Sequence, residues 1–417
     1  MTTNENHLSQ LELKDDLSDV HRINEGQYGC ILYRGVKCNL KEIESSKYVT
    51  KIQKNDKTLK KELEISEIMN TIENVSFFFA PIISACPVEL NKITNEEIRK
   101  CEIYQNSEIN QLLSACKIRY VGSKTLADFL VDLLIHNPSL FFTTCIQFHI
   151  YLLESLMKLE KLNIIHFDIK ENNIMVDEIL RVPIFIDFGL SIEKQKITWE
   201  YEQTLFPEYS EYPFWGIDIF TISCMKTLNE KPTEGQSSKK LDKSQWQSLQ
   251  MTEADIEHIA NDFIFTKGSI FLKLLRTEEE KNSFKQSIIS ELSKYKGTTW
   301  QTIFDKMCDF SLTWDHYSLA MTFLLILDDT LNVDYSKQLP SLEKYRKYLL
   351  DQVKCMPKDR HTLIQSRDFL VENFSFISKS EKQIFADYIH KIDKSSIQES
   401  LNQTKLLELQ YDTKFNR

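Results

Sequence analysis

The spacing of apolar and polar positions divides this 417-residue chain into a strand-rich first part and a helix-rich remainder. Between residues 19 and 36, E-G-Q-Y-G-C-I-L-Y lies between two apolar stretches and predicts a strand, a glycine turn and a second strand. Residues 48–52, Y-V-T-K-I, read as a further strand. From 58 to 72 the positions Leu63, Ile65, Ile68, Met69 and Ile72 follow helical spacing. Two apolar strands, F-F-F-A-P-I-I and A-C-K-I-R-Y-V, then flank a polar insert at 91–110. Residues 140–162 predict an amphipathic helix carrying Ile146, Ile150, Leu153, Leu156, Met157 and Leu159 on one face. Further on, T-E-A-D at 252–255 has capping-box spacing, and helices are expected at 279–295, 299–310, 364–369 and 379–391. Residues 1–17 predict a loose polar arm. No internal repeat or low-complexity tract is found.

One stretch breaks the alternation of core-forming segments. Residues 164–190, I-I-H-F-D-I-K-E-N-N-I-M-V-D-E-I-L-R-V-P-I-F-I-D-F-G-L, set His166, Asp168, Lys170, Asn173 and Asp187 between short apolar runs. The runs at 174–176 and 182–186 predict a hairpin whose ends present polar groups. Asp168 could accept a hydroxyl proton, and Lys170 could neutralise charge on a transferred phosphoryl group. Asn173 and Asp187 offer oxygens suited to Mg²⁺, a hard cation that takes carboxylate and carbonyl ligands beside substrate phosphates. Phosphoryl transfer asks mainly for positioning and charge neutralisation, and this set supplies both. A single Asp or Asn here would read as a turn former; five such residues at this spacing read as a site.

Composition narrows the classes. With 42% hydrophobic and 27% charged residues, a globular protein with a sizeable core is expected. A net charge of −10 argues against nucleic acid as a partner. The patch Lys54, Lys57, Lys60 and Lys61 reads as a solvated helix start, with Lys51 set apart. Nine cysteines at irregular spacing, without a C-x-x-C pair, suggest reduced, mostly buried thiols and no disulfide frame or zinc site. A polar, acidic start argues against a signal peptide, Met1-Thr2 against N-myristoylation, and no apolar run approaches the roughly 18 residues of a membrane span. A soluble, cytoplasmic protein is expected.

H-F-D-I-K-E-N-N followed by D-F-G resembles the catalytic loop and metal-binding motif of eukaryotic-type protein kinases. The matches run in kinase order over about residues 20–370. The wording of these segments with T-W-D-H-Y-S-L-A, and a large insert, is most similar to the divergent protein kinases of large cytoplasmic DNA viruses.

The resemblance implies an α+β, two-lobed kinase fold with a small β-rich N-lobe and a large, mainly helical C-lobe. Its parts are an arm at 1–17, the N-lobe at 18–118, a hinge at 119–122, the C-lobe at 123–372 with an insertion at about 225–312, and a helical extension at 373–417. ATP would lie under Gly26 and Gly29, where the backbone can approach phosphate oxygens without a Cβ clash. Asn24 stands at the family's first glycine and Ile31 at its valine. Val49 would touch adenine and Lys51 the α- and β-phosphates, with Lys41 and Lys54 as alternatives. Glu64 best matches the family's glutamate that pairs with that lysine; Glu62 and Glu67 compete. Adenine would bond to the backbone of Arg119, Tyr120 and Val121, with Ile118 behind it.

Phe206-Pro207-Glu208 resembles the end of an activation segment, and the resemblance pairs Arg360 with Glu208. Two stretches compete for the helix that anchors the large lobe, around Asp218 and around Asp315. Asp315 is preferred, because it flows into C-M-P-K-D-R-H-T. Phe167 replaces the arginine that usually precedes the catalytic aspartate, which suggests activity independent of phosphate between Ser191 and Thr204. Transfer from ATP to Ser or Thr hydroxyls of proteins is the expected activity, with Asp168 as base, Asn173 and Asp187 holding Mg²⁺, and partner docking on the insertion possible. A small-molecule kinase of the aminoglycoside or choline type, and a pseudokinase scaffold, are the alternatives.

Overall fold

The computed structural model describes residues 20–26, 29–38, 40, 42–89, 96–107, 111–198, 212–230, 248–266, 269–330 and 339–390. The proposed N-terminal arm, the F-P-E motif, the start of the insertion and the last 27 residues lie outside them. The architecture is mixed α+β, with a small antiparallel sheet in the N-terminal region and a helical C-terminal part. Two compact units divide it. One takes the described residues up to Leu63 and within Pro81–Tyr120, and the other takes Glu64–Ala80 and the described residues from Val121 on. The chain thus crosses between units inside the expected hinge, but Glu64–Ala80 belongs with the helical unit and not with the expected N-lobe.

In the first unit the strands are β1 (His21–Gly26), β2 (Gly29–Tyr33), the short pair β3 (Gly35–Val36) and β4 (Ile43–Ser45), β5 (Tyr48–Lys54), β6 (Ile82–Glu89) and β7 (Leu112–Arg119). Five form one antiparallel sheet in the order β1-β2-β5-β7-β6. Both sheet faces are covered, which is why β5 reads as an almost unbroken buried run. One face packs Leu59 and Leu63, from the start of helix α1 (Lys57–Met69), against Ile82, Cys116 and Ile118. The opposite face packs Cys30, Leu32, Ile52, Leu113 and Ala115 against Ile98 and Cys101. Those last two lie on and beside the short helices α2 (Glu96–Arg99) and α3 (Glu102–Gln105). The insert expected to be merely polar therefore contributes a buried lid to the sheet.

Four cysteines of this unit are paired, Cys30 with Cys101 and Cys38 with Cys86. This corrects the expectation of reduced thiols throughout. Irregular sequence spacing carries no information about pairs that β2, β6 and the α2–α3 insert bring to Cα separations of 6.0 and 5.8 Å. Five cysteines stay unpaired.

The second unit is built around a helix buried on every side. Its helices are α4 (Leu126–His136), α5 (Pro138–Lys161), α6 (Ile217–Glu230), α7 (Glu253–Phe265), α8 (Phe271–Leu274), α9 (Glu278–Leu292), α10 (Trp300–Cys308), α11 (Trp314–Thr330), α12 (Pro340–Lys354), α13 (Leu363–Phe374) and α14 (Lys379–Ile389). Every residue of α11 except Asp328 is buried, as expected of a helix apolar all round. Thr252 and Asp255 form the expected capping box at the start of α7, and Thr277 with Glu280 forms another at α9. Helix α5 alone is long and apolar enough to cross a membrane among the described residues, yet more than half of its apolar stretch is buried inside the protein. Between α5 and α6 lie the short strands β8 (Ile164–Ile165), β9 (Ile174–Val176), β10 (Pro183–Phe185) and β11 (Ile192–Glu193).

Candidate functional site

The polar residues of 164–190 are gathered by backbone pairing. Strands β9 and β10 pair Ile174 with Phe185, and the next rung carries a bond from Ile186 N–H to the Asn173 carbonyl at 3.0 Å. Asn173 and Asp187 thereby emerge from the same end of the hairpin. Strand β8, paired with β11, delivers the chain into His166 and Asp168. His166 Nε2 lies 3.1 Å from the carbonyl of Ile186, which ties the first loop to the second.

The loop holding Asp168 is pinned from beneath by α11. Both carboxylate oxygens of Asp315 accept backbone N–H groups, from His166 at 2.7 Å and from Phe167 at 2.9 Å. Burial pushes the Asp315 carboxyl up from its usual range, and His166 with the two backbone donors opposes that shift. Asp218, the competing residue, does something else. Its carboxylate receives both Nη atoms of Arg360, at 2.8 and 3.0 Å, and Trp314 Nε1 at 2.7 Å. The expected partner of Arg360, Glu208, lies outside the described residues, and the fork of this guanidinium is filled by Asp218. A bidentate, planar match explains that choice.

Phe167 sits at φ 69° and Asp187 at φ 59°, both in the left-handed region. Such conformations cost about 1–3 kcal/mol for residues with a side chain and persist where surroundings impose them. For Phe167 those surroundings are Trp215 and Trp314, with ring centroids 5.0 and 5.5 Å away, and Trp215 Nε1 donating to its carbonyl. The arginine position of the sequence motif is thus an aromatic plug.

Asp168 is fully engaged. Its Oδ2 accepts from Asn173 Nδ2 at 2.7 Å and lies 3.4 Å from Lys170 Nζ, while its Oδ1 accepts from the hydroxyl of Tyr212. Lys170, Asn173 and Tyr212 are all buried. Tyr212 was not singled out from the sequence; the only signal was the aromatic density of Y-P-F-W-G. The Asn173 amide also donates to the Asp168 carbonyl, so its nitrogen is committed and its oxygen is the atom turned to other use. That oxygen and the Asp187 carboxylate fit a hard divalent cation in donor chemistry. No cluster of three or more His, Cys, Asp or Glu side chains placed to hold a metal occurs among the described residues, so substrate oxygens or water would complete such a shell.

In the first unit, register places a second set of expected residues on one sheet face. Directly opposed residues of antiparallel strands share a face, and Ile31 opposes Lys51, Lys51 opposes Cys116, and Val49 opposes Ile118. Gly26 pairs with Gly29, and the two residues between them are outside the described set. At Gly29 a Cβ would stand 2.1 Å from the Ile52 carbonyl oxygen, so close strand approach alone demands glycine there. Arg119 ends β7 opposite Tyr48, and the Tyr120 N–H is already spent on the Lys47 carbonyl at 2.9 Å. Of the three backbone positions expected to read adenine, Tyr120 therefore cannot donate. Val121 begins the second unit and is buried.

Lys51 is buried and reaches Glu62, at 3.3 Å, rather than Glu64. Gln53 also donates to Glu62, at 3.1 Å. Helical period explains the correction. Leu59, Glu62, Ser66 and Met69 form the buried stripe of α1, whereas Glu64 points away and meets Lys196 within the second unit at 3.1 Å. Beside this pair the Cys116 thiol is pushed up to about 12, first by burial and then by the Glu62 charge.

A comparison with protein-family models and a comparison with curated proteins each returned no match to this chain.

Proposed function

We propose that the protein is an ATP-dependent serine/threonine protein kinase of two-lobed design, acting on protein hydroxyls. The observation that carries this reading is the seating of Asp168: a carboxylate held between Lys170 and Asn173, on a loop whose backbone is fixed by Asp315. In this reading Asp168 orients the attacking hydroxyl and takes its proton, and Lys170 balances charge on the phosphoryl oxygens. Asn173 and Asp187 would hold magnesium, whose contribution when bound is to neutralise phosphate charge. Lys51, kept extended by Glu62, would meet the nucleotide phosphates, while Ile31, Val49 and Ile118 would offer an apolar face to the base. The aromatic seat of Phe167, at the position where the family's pattern has an arginine, supports activity without an activation-segment phosphate.

Incubation with γ-labelled ATP, magnesium and generic protein substrates tests this reading. Label on serine and threonine is the expected result. Label on aminoglycosides or choline alone would place the protein among small-molecule kinases. Nucleotide binding without turnover would make it a scaffold.

A further inference from the structure

The Asp168 oxygen that a substrate hydroxyl needs is already occupied from within the chain. Tyr212 donates its hydroxyl to Oδ1 at 2.5 Å, and Oδ2 is taken by Asn173 and Lys170. This contact has the chemistry of a bound acceptor: an O–H presented to the ionised base, beside the Lys170 ammonium, 6.0 Å from the ring centroid. The tyrosine is firmly placed, with its ring 5.0 Å from Trp215 and 5.4 Å from Phe214, on the aromatic cluster that also seats Phe167. The ring also borders a small cavity lined by Trp215, Phe263, Ile270 and Phe271.

We infer that Tyr212 is an internal gate on Asp168, a stand-in for the substrate hydroxyl that an incoming acceptor must displace before its proton can be taken. The inference rests on the proposed phosphotransferase function and adds its control. A hydroxyl bound only weakly, water included, would fail to displace a hydrogen bond to a charged carboxylate. A protein segment held at several points would succeed. Tyr212 thus sets a threshold against idle ATP hydrolysis and against poorly docked acceptors.

The test is Tyr212→Phe, which deletes the hydroxyl and keeps the ring. Phosphoryl transfer to a short peptide and ATP hydrolysis without acceptor should both rise about tenfold, the order expected for one hydrogen bond to a charged group. The rise should be largest for the short peptide and smaller for a protein acceptor held at several points. Phe214→Leu, which loosens the ring and keeps the hydroxyl, should move both rates the same way by a smaller factor, and it decides the matter if Tyr212→Phe does not fold. Rates that stay equal or fall overturn the gate and leave the kinase reading standing. No transfer by wild type or either variant, with nucleotide binding intact, removes the kinase reading and the gate with it. A silent wild type released by Tyr212→Phe supports both.

Discussion

Arg360 closes on Asp218 with both Nη atoms, and the two side chains are almost sealed from solvent. Gly216 makes room for that fork, since a Cβ there would stand 2.3 Å from Arg360 Nη2. Removing one partner strands a buried charge, which costs about 3–5 kcal/mol. Arg360→Ala and Asp218→Ala should each lower the urea midpoint by a corresponding amount, and Gly216→Ala should do so in part. The double variant Asp218→Ala/Arg360→Ala should cost less than the sum of the single ones. Additive losses would show that the pair is not coupled.

The assignment of Glu62 as partner of Lys51 separates two glutamates only two residues apart. Glu62→Gln leaves Lys51 and Gln53 without their shared carboxylate and should weaken use of ATP by about tenfold or more, the order of a charged hydrogen bond. Glu64→Gln alters a half-exposed pair with Lys196 and should change the rate less than twofold, since such pairs contribute about 0–1 kcal/mol. Steady-state kinetics in ATP would show the opposite order if the longer-range motif match were the better guide.

How much of this could be read from the sequence depends on the kind of signal. The loop and hairpin around Asp168, Asn173 and Asp187 were legible because local pairing brings these residues together, and a three-rung hairpin is written in nearby residues. The preference for Asp315 rested on local wording as well, and its carboxylate does hold the loop backbone. What stayed hidden was long-range or directional. Glu62 was displaced by Glu64 because motif matching was followed over the Leu59-Glu62-Ser66-Met69 stripe. Arg360 found Asp218 across 142 positions, and Tyr212 found Asp168 across 44, distances over which spacing says nothing.

The two disulfides close loops of 71 and 48 residues in the first unit. Loops of that length restrict the unfolded chain enough to be worth about 4 kcal/mol each in the chain-entropy account, and less than the sum together because one lies inside the other. Thiol titration of the unfolded, unreduced protein should count five thiols out of nine cysteines, and reduction should lower the unfolding midpoint. Nine titrating thiols would contradict the pairing.

Two buried histidines make stability fall in acid. Burial holds His149 well below the ordinary range, and His316, bonded to Ser366, is lowered to about 3 by burial and then by Arg360 and His361. Below about pH 6.5 the unfolded chain takes up protons on these side chains that the folded chain refuses. Stability should therefore drop on acidification, approaching about 1.4 kcal/mol per pH unit for each group. Urea midpoints measured between pH 7 and 5 should show this slope, and His316→Gln should remove about half of it. An unchanged slope in that variant would contradict the account.

The central claim is that Asp168, Asn173 and Asp187 form a phosphoryl-transfer site, and the most direct test follows label from γ-labelled ATP into protein substrate. Wild type should transfer label in a magnesium-dependent manner, and Asp187→Ala and Asp168→Asn should each lose most of that rate while keeping the wild-type unfolding midpoint within about 1 kcal/mol. Transfer at near wild-type rates in both folded variants would contradict the claim.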